Sequence, residues 1–266
     1  MAVELRRASE FSFGELAALF TASYEGYFVP FAIDDTSFAF MVDAFDLDVH
    51  KSLVAVDAGM PIGLANLGRR RGRTWLGGVG VLPPNRRAGV GEQLTRALLD
   101  RSRAAGAREM VLEVIVENTP AISLYEKLGF ARTRELEVLS LAAAENGAEA
   151  REIGVDEALA IIAASRETPD PWQRDDDTIA NLARRLPVLQ GRAAGAAAAV
   201  FRVEAGRVGL LQAAGDPEGL RLLVGALRTR GTVVALNYPA GGPVAEVLRQ
   251  AGAEVTARQY EMVAPL

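Results

Sequence analysis

The stretch from Val79 to Leu94 (Val-Gly-Val-Leu-Pro-Pro-Asn-Arg-Arg-Ala-Gly-Val-Gly-Glu-Gln-Leu) constrains this chain more than any other. An apolar strand runs into a short basic loop with two glycines, and an amphipathic helix starts straight after it. That order aims several backbone N–H groups and a helix N-terminus at one point, an arrangement that suits a phosphate or pyrophosphate. Gly89 and Gly91 have no Cβ, so an anion can lie against bare backbone there. Arg86 and Arg87 add positive charge beside it.

The spacing excludes two familiar cradles. A P-loop needs four residues between its glycines and a Lys-Ser/Thr behind them, and neither is present. A dinucleotide fingerprint needs a third glycine after Gly78-Val79-Gly80, where this chain has Pro83. A second segment lies downstream, Leu112-Glu113-Val114-Ile115-Val116-Glu117-Asn118-Thr119-Pro120-Ala121-Ile122-Ser123-Leu124-Tyr125-Glu126-Lys127-Leu128-Gly129-Phe130. It reads as a strand followed by a helix, with Thr119 as the cap, Pro120 in the first turn and Gly129 just past the end.

Arg86-x-x-Gly89-x-Gly91 resembles the R/Q-x-x-G-x-G/A loop of the Gcn5-related N-acetyltransferases (GNAT). The second segment resembles the same family's L-E-V…N-x-x-A-x-x-L-Y-x-x-x-G-F stretch. The two occur in the family's order, one helix apart. The resemblance implies an α/β fold with a mixed sheet, the acyl-coenzyme A N-acyltransferase fold, and acetyl-coenzyme A as co-substrate with an amine as acceptor. It also implies roles. Val79, Gly80 and Val81 would pair with the pantetheine arm, and one of their N–H groups would face the thioester oxygen. Arg86, Arg87, Ala88, Gly89, Val90, Gly91 and Glu92 would hold the pyrophosphate, with the Glu92 side chain turned away into solvent. Asn118 would bond the pantetheine amides, or simply cap the end of its strand. Tyr125 would protonate the leaving thiolate, or be an ordinary half-buried aromatic. Glu113 would serve as general base, as in the family's acetyltransferases of ribosomal-protein N-termini; as an ordinary polar strand residue it would leave proton removal to water.

The rest of the chain limits the alternatives. There is no cysteine and a single histidine, His50, so thiolate or histidine metal sites and a Ser-His-Asp triad are not expected, and no metal is assigned. The net charge of −5 is spread over both halves, which argues against a nucleic-acid partner. No apolar run reaches membrane-spanning length, so no membrane partner and a cytoplasmic setting are expected. The Arg69-Arg70-Arg71-Gly72-Arg73 run reads as a strand-joining hairpin that could also hold an acidic acceptor. Ser23-Tyr24-Glu25-Gly26-Tyr27-Phe28-Val29-Pro30-Phe31 joins two helices and either lines an acceptor pocket or plugs the core.

Residues 1–142 read as β-α-α-β-β-β-α-β-α-β, one final strand short of the usual pattern. Residues 143–150 read as a linker, and 151–266 repeat the alternation. A shift of 123 places Pro120 on Pro243 and Gly129 on Gly252, while Glu113 falls on Leu236, Asn118 on Gly241 and Tyr125 on Leu248. Two tandem copies are therefore expected, the second without cofactor residues. The chain is expected to work as a monomer or homodimer. The competing expectation is a non-catalytic acyl-coenzyme A sensor or scaffold.

Overall fold

The computed structural model describes residues 3–28, 32–185 and 189–266. It divides into two compact units. The first comprises the chain up to Thr133 together with Glu261–Leu266, and the second comprises Arg134–Tyr260.

The first unit follows the order read from the sequence. Strand β1 (Glu4–Arg7) leads through a 3-10 turn to helices α1 (Phe13–Ser23) and α2 (Asp35–Ala44). Helix α1 opens on a capping box: Ser12 Oγ accepts from the Glu15 N–H, and Glu15 accepts from the Ser12 N–H at 2.7 Å. Asp34 caps α2 by accepting from the Ser37 N–H at 2.8 Å. Then come β2 (Leu53–Asp57), β3 (Met60–Arg70), β4 (Arg73–Val81), α3 (Val90–Ala104), β5 (Glu109–Ile115) and α4 (Thr119–Lys127). Strands β1 to β4 form an antiparallel meander in spatial order, and β5 joins β4 in parallel. Leu16, Phe20 and Phe38 from α1 and α2 bury against Val54, Val56 and Leu64. Helix α3 packs against β2, β3 and β4.

The strand missing from the first half is supplied by the end of the chain. Strand β6 (Ala131–Leu141) follows α4, yet from Arg134 onward it belongs to the second unit. The last strand, β12 (Glu254–Pro265), brings Glu261–Leu266 into the first unit beside β5, where the Leu266 N–H donates to the Arg108 carbonyl at 2.9 Å.

The second unit repeats the pattern. It contains β7 (Arg151–Ile153), α5 (Val155–Ser165), α6 (Asp176–Arg185), β8 (Gln190–Ala194), β9 (Ala197–Glu204) and β10 (Arg207–Ala214). After these come α7 (Pro217–Arg228), β11 (Thr232–Pro239) and α8 (Pro243–Gln250). Its strands run β7-β8-β9-β10-β11-β6, with β10 and β11 parallel. Leu139, Phe201, Leu210, Leu223, Leu227 and Leu248 lie in its core. Helix α6, whose apolar face is set in a polar segment, and the small-residue strand β8 are not evident from sequence. Strand β7 is short because Gly154 caps α5 and Val155 is already helical. Among the described residues no helix is long and apolar enough to cross a membrane, and no group of three or more His, Asp or Glu could hold a metal ion.

Candidate active site

Strand β4 carries a bulge where the site forms. Leu67 pairs with Leu76 and Ala65 with Val79, so Gly77 and Gly78 stand opposite Asn66 alone. Gly78 takes φ +127°, and a Cβ there would stand 3.1 Å from the Phe20 ring and the Tyr24 hydroxyl. Only glycine allows α1 to approach so closely. The parallel ladder between β4 and β5 ends just before the bulge, at Trp75↔Val111, although β4 continues to Val81 and β5 to Ile115. A gap opens between them. The Leu82 N–H donates across to the Ile62 carbonyl at 2.9 Å. Antiparallel alternation then turns the amides of Val79 and Val81 to the other edge, toward the gap.

The loop after β4 meets the same place. Arg87 (φ 63°) and Gly89 (φ 81°) are both left-handed, and Gly89 is the N-cap of α3 with no side-chain hydrogen bond. Two left-handed residues so close together curl successive N–H groups toward a common centre. Among the described residues no acceptor takes the N–H groups of Arg87 through Glu92; the first one used is that of Gln93, which donates to the Gly89 carbonyl at 3.0 Å. A Cβ on Gly89 would meet nothing within 4 Å, so the loop faces open space. A Cβ on Gly91 would stand near 4 Å from the side chains of Val79, Val81 and Leu124, so the start of α3, the end of β4 and α4 come together at the mouth of the gap.

Two charged side chains of the loop do not face that centre. Arg86 folds back: Nε donates to the Val81 carbonyl at 3.1 Å, and Nη2 donates to the carbonyls of Ser23 at 3.2 Å and Glu25 at 2.7 Å. It clasps the end of α1 to the end of β4. Its own N–H is also used, donating to Pro83 at 3.3 Å, so the free N–H groups start at Arg87. The Glu92 carboxylate turns to Arg96 and Lys127, both at 2.8 Å, and its bonds to those two cations hold it below the ordinary carboxylate range. Glu92 thus contributes backbone to the loop and keeps its charge elsewhere.

Asn118, not Thr119, caps α4. Its Oδ1 accepts from the Ala121 N–H at 3.3 Å, and its Nδ2 donates to the Tyr27 hydroxyl at 3.4 Å. Tyr125 on α4 is 8% exposed and meets the Phe130 ring edge-on at 5.7 Å. Burial pushes its hydroxyl well above the ordinary tyrosine range, and the neighbouring Tyr27 adds to the shift. Burial raises Tyr24 and Tyr27 likewise, so all three keep their protons at neutral pH. Tyr24 stacks on Phe20 at 4.7 Å and meets Tyr27 edge-on at 4.9 Å, and Tyr27 meets the exposed Phe28 at 5.3 Å. In the described part of the aromatic segment Tyr24, with Phe20 beside it, covers the bulge as a core plug would, and Phe28 reaches solvent. Val29, Pro30 and Phe31 lie outside the described residues.

Glu113 points from β5 to the Trp75 indole, whose Nε1–H donates to Glu113 Oε2 at 2.7 Å. Trp75 is buried and meets Phe45 edge-on at 5.6 Å, so the carboxylate is fixed against an aromatic wall. This partner was not evident from sequence, because Trp75 reads there as one more apolar strand residue. The arginine hairpin is committed to intramolecular pairs: Arg69 with Asp48, Arg70 with Asp46 and Arg73 with Glu109. These pairs tie the hairpin down. His50 is exposed, away from any cluster of metal-ligating groups among the described residues.

The model of the acetyltransferase (GNAT) family matches residues 15–130, which span the loop, the gap and α4. A relative from Schizosaccharomyces pombe, N-alpha-acetyltransferase 30, is 39% identical over 90 residues, covering 32% of this chain and 60% of that protein. The chain spans less than two thirds of the curated relatives it matches first. Among solved structures, a GCN5-related N-acetyltransferase from Sphaerobacter thermophilus superposes with a TM-score of 0.72 at 17% identity over 99% of this chain and 95% of that one. A tandem GNAT protein from the clavulanic acid biosynthesis pathway gives 0.65 at 15% identity over 99% and 98%. Likeness over whole chains extends the fold to both units, as two tandem copies. Motif, strand gap and matched segment coincide, and residues 15–130 of the first unit carry a match to the acetyltransferase (GNAT) family domain.

Proposed function

We propose that the first unit transfers an acetyl group from acetyl-coenzyme A to an amine of a small molecule or peptide. The observation that carries this reading is the run of free N–H groups from Arg87 to Glu92 beside a gap edged by the amides of Val79 and Val81. A pyrophosphate needs the first, and an extended amide-bearing arm needs the second. Acetyl-coenzyme A supplies an activated thioester. The chain's own groups do the rest. An amide from Val79 or Val81 steadies the oxygen that gains charge as the amine nitrogen attacks the thioester carbon. Glu113 takes the proton lost by the amine, and Tyr125 gives one to the departing thiolate. A tyrosine held above its ordinary pKa of ~10 stays protonated and can donate to a thiolate whose own pKa is ~8.5. Asn118, tied to Tyr27, supports the coenzyme arm while capping α4.

The relative's name points to the order of testing. Peptides with free N-terminal amines come first, then small-molecule amines, each with acetyl-coenzyme A while free thiol is followed. Thiol release that depends on one amine class supports the proposal. Tight coenzyme binding with no release across the panel would instead favour a sensor or scaffold.

A further inference from the structure

The second unit rebuilds the same strand gap and then fills it. Strand β10 corresponds to β4: it is antiparallel to the strand before it, shifts register between Leu210 and Gln212, and runs parallel to the next strand. Its parallel ladder with β11 ends at Leu210↔Ala235, immediately before the shift, as that of β4 ends at Trp75. At that point stands Arg174, with its side chain almost wholly buried. Nη1 donates to the Leu211 carbonyl at 3.1 Å and Nη2 to the Asn237 carbonyl at 3.2 Å, so one guanidinium holds both strands. Asp170 pairs with it at 2.8 Å, the Tyr238 ring lies 3.6 Å from its carbon, and Gln212 donates to its backbone carbonyl at 2.6 Å. Arg174 comes from the connection between α5 and α6; in the first unit the connection after α1 places Tyr24 over the bulge instead.

The helix start is filled too. Helix α7 follows β10 as α3 follows β4, but its N-cap is Asp216 in place of Gly89. The Asp216 carboxylate accepts from the N–H groups of Gly219 at 2.9 Å and Ala196 at 3.2 Å. Pro217, the first helical residue, has no N–H to offer.

We propose that Arg174 and Asp216 occupy, from within the chain, the second unit's counterparts of the coenzyme gap and the anion loop, so that this unit takes no coenzyme and is held together by its own side chains. This rests on the reading that the first unit's gap and loop bind acetyl-coenzyme A. A guanidinium that bridges two strands replaces the hydrogen bonds a bound arm would make, and a carboxylate at a helix start replaces a phosphate.

Hydrogen exchange on the full chain, with and without acetyl-coenzyme A, separates the two claims. Slowing at Arg87–Glu92 with no change at Leu211–Gly219 is expected. Slowing at both would overturn the filled second site and leave the first-unit reading standing. No slowing at Arg87–Glu92 would overturn that reading, and this inference with it. Independently of coenzyme, Arg174→Met should speed exchange at Leu211–Ala214 by ~10-fold or more, since it removes charged hydrogen bonds to both strands. Arg174→Lys keeps the charge without the two-strand fork and should fall between, which keeps the test open if the Met variant fails to fold. Unchanged exchange in either variant would show that Arg174 does not hold the gap.

Discussion

At the scale of single residues, the proposed chemistry depends on two side chains whose surroundings are fixed by different means. Tyr125 is shaped by burial, Glu113 by the hydrogen bond it accepts from Trp75. Tyr125→Phe removes the proton but keeps the ring against Phe130, so coenzyme affinity should hold while kcat falls by ~10²-fold or more, read by steady-state thiol release. Equal kcat in mutant and parent would remove Tyr125 from the mechanism. The sign of the pH effect follows from the raised pKa. A hydroxyl that titrates above its ordinary value stays protonated across the neutral and mildly alkaline range, so the parent enzyme should lose no activity to Tyr125 ionisation below pH ~10. The same buried proton favours the folded state only while the unfolded tyrosine is also protonated; above pH ~10 that contribution declines toward the folded pKa. Glu113→Gln keeps an acceptor for the Trp75 N–H and removes only the base. A drop in kcat/KM of ~10²-fold with unchanged coenzyme affinity is expected, and full activity would hand the proton to water.

At the scale of elements, the loop into α3 carries the binding prediction. Gly89 is left-handed and open to solvent, so Gly89→Asp places a carboxylate where the free N–H groups converge. The backbone strain is modest, about 1 kcal/mol, because aspartate tolerates this region better than most residues. Calorimetry should therefore show acetyl-coenzyme A binding strongly weakened while circular dichroism shows the fold retained. Unaltered affinity would mean the anion lies elsewhere. This loop was legible in sequence because its chemistry is local: a strand, two glycines and a helix start within a few residues. The capping box at Ser12 and the Asp34 cap are local in the same way. The fold-back of Arg86 onto Ser23 and Glu25 was not, since those carbonyls lie more than sixty residues away in the chain. Nor was the Trp75–Glu113 bond, which depends on the parallel register of β4 and β5. Helix α6 lay hidden because its apolar face is made of few residues, Ile179 and Leu182, with Thr178 and Asn181 buried beside them.

At the scale of the whole chain, sequence showed that the first half is one strand short but not what completes it. The completing residues are the last six, Glu261–Leu266, which join the first unit beside β5. Their attachment is visible in the Leu266 N–H bond to Arg108 and in the Thr133 hydroxyl bond to the Glu261 carbonyl at 3.0 Å. Met262 and Ala264 are buried, so the strand brings apolar surface as well as hydrogen bonds. A chain ending at Glu149 keeps every candidate catalytic and coenzyme residue but loses this strand. Its β5 would then expose unpaired N–H and carbonyl groups beside uncovered apolar residues, a template for edge-to-edge association. Such a chain is expected to be poorly soluble or aggregated. Removing only Glu261–Leu266 from the full chain tests the same point more narrowly. It should lower the Tm and thiol-release activity together, although it removes none of the residues at Arg87–Glu92. If residues 1–149 proved monomeric, folded and fully active, the returning strand would be dispensable to the first unit. The second half would then have to serve the chain in another way, such as binding a partner.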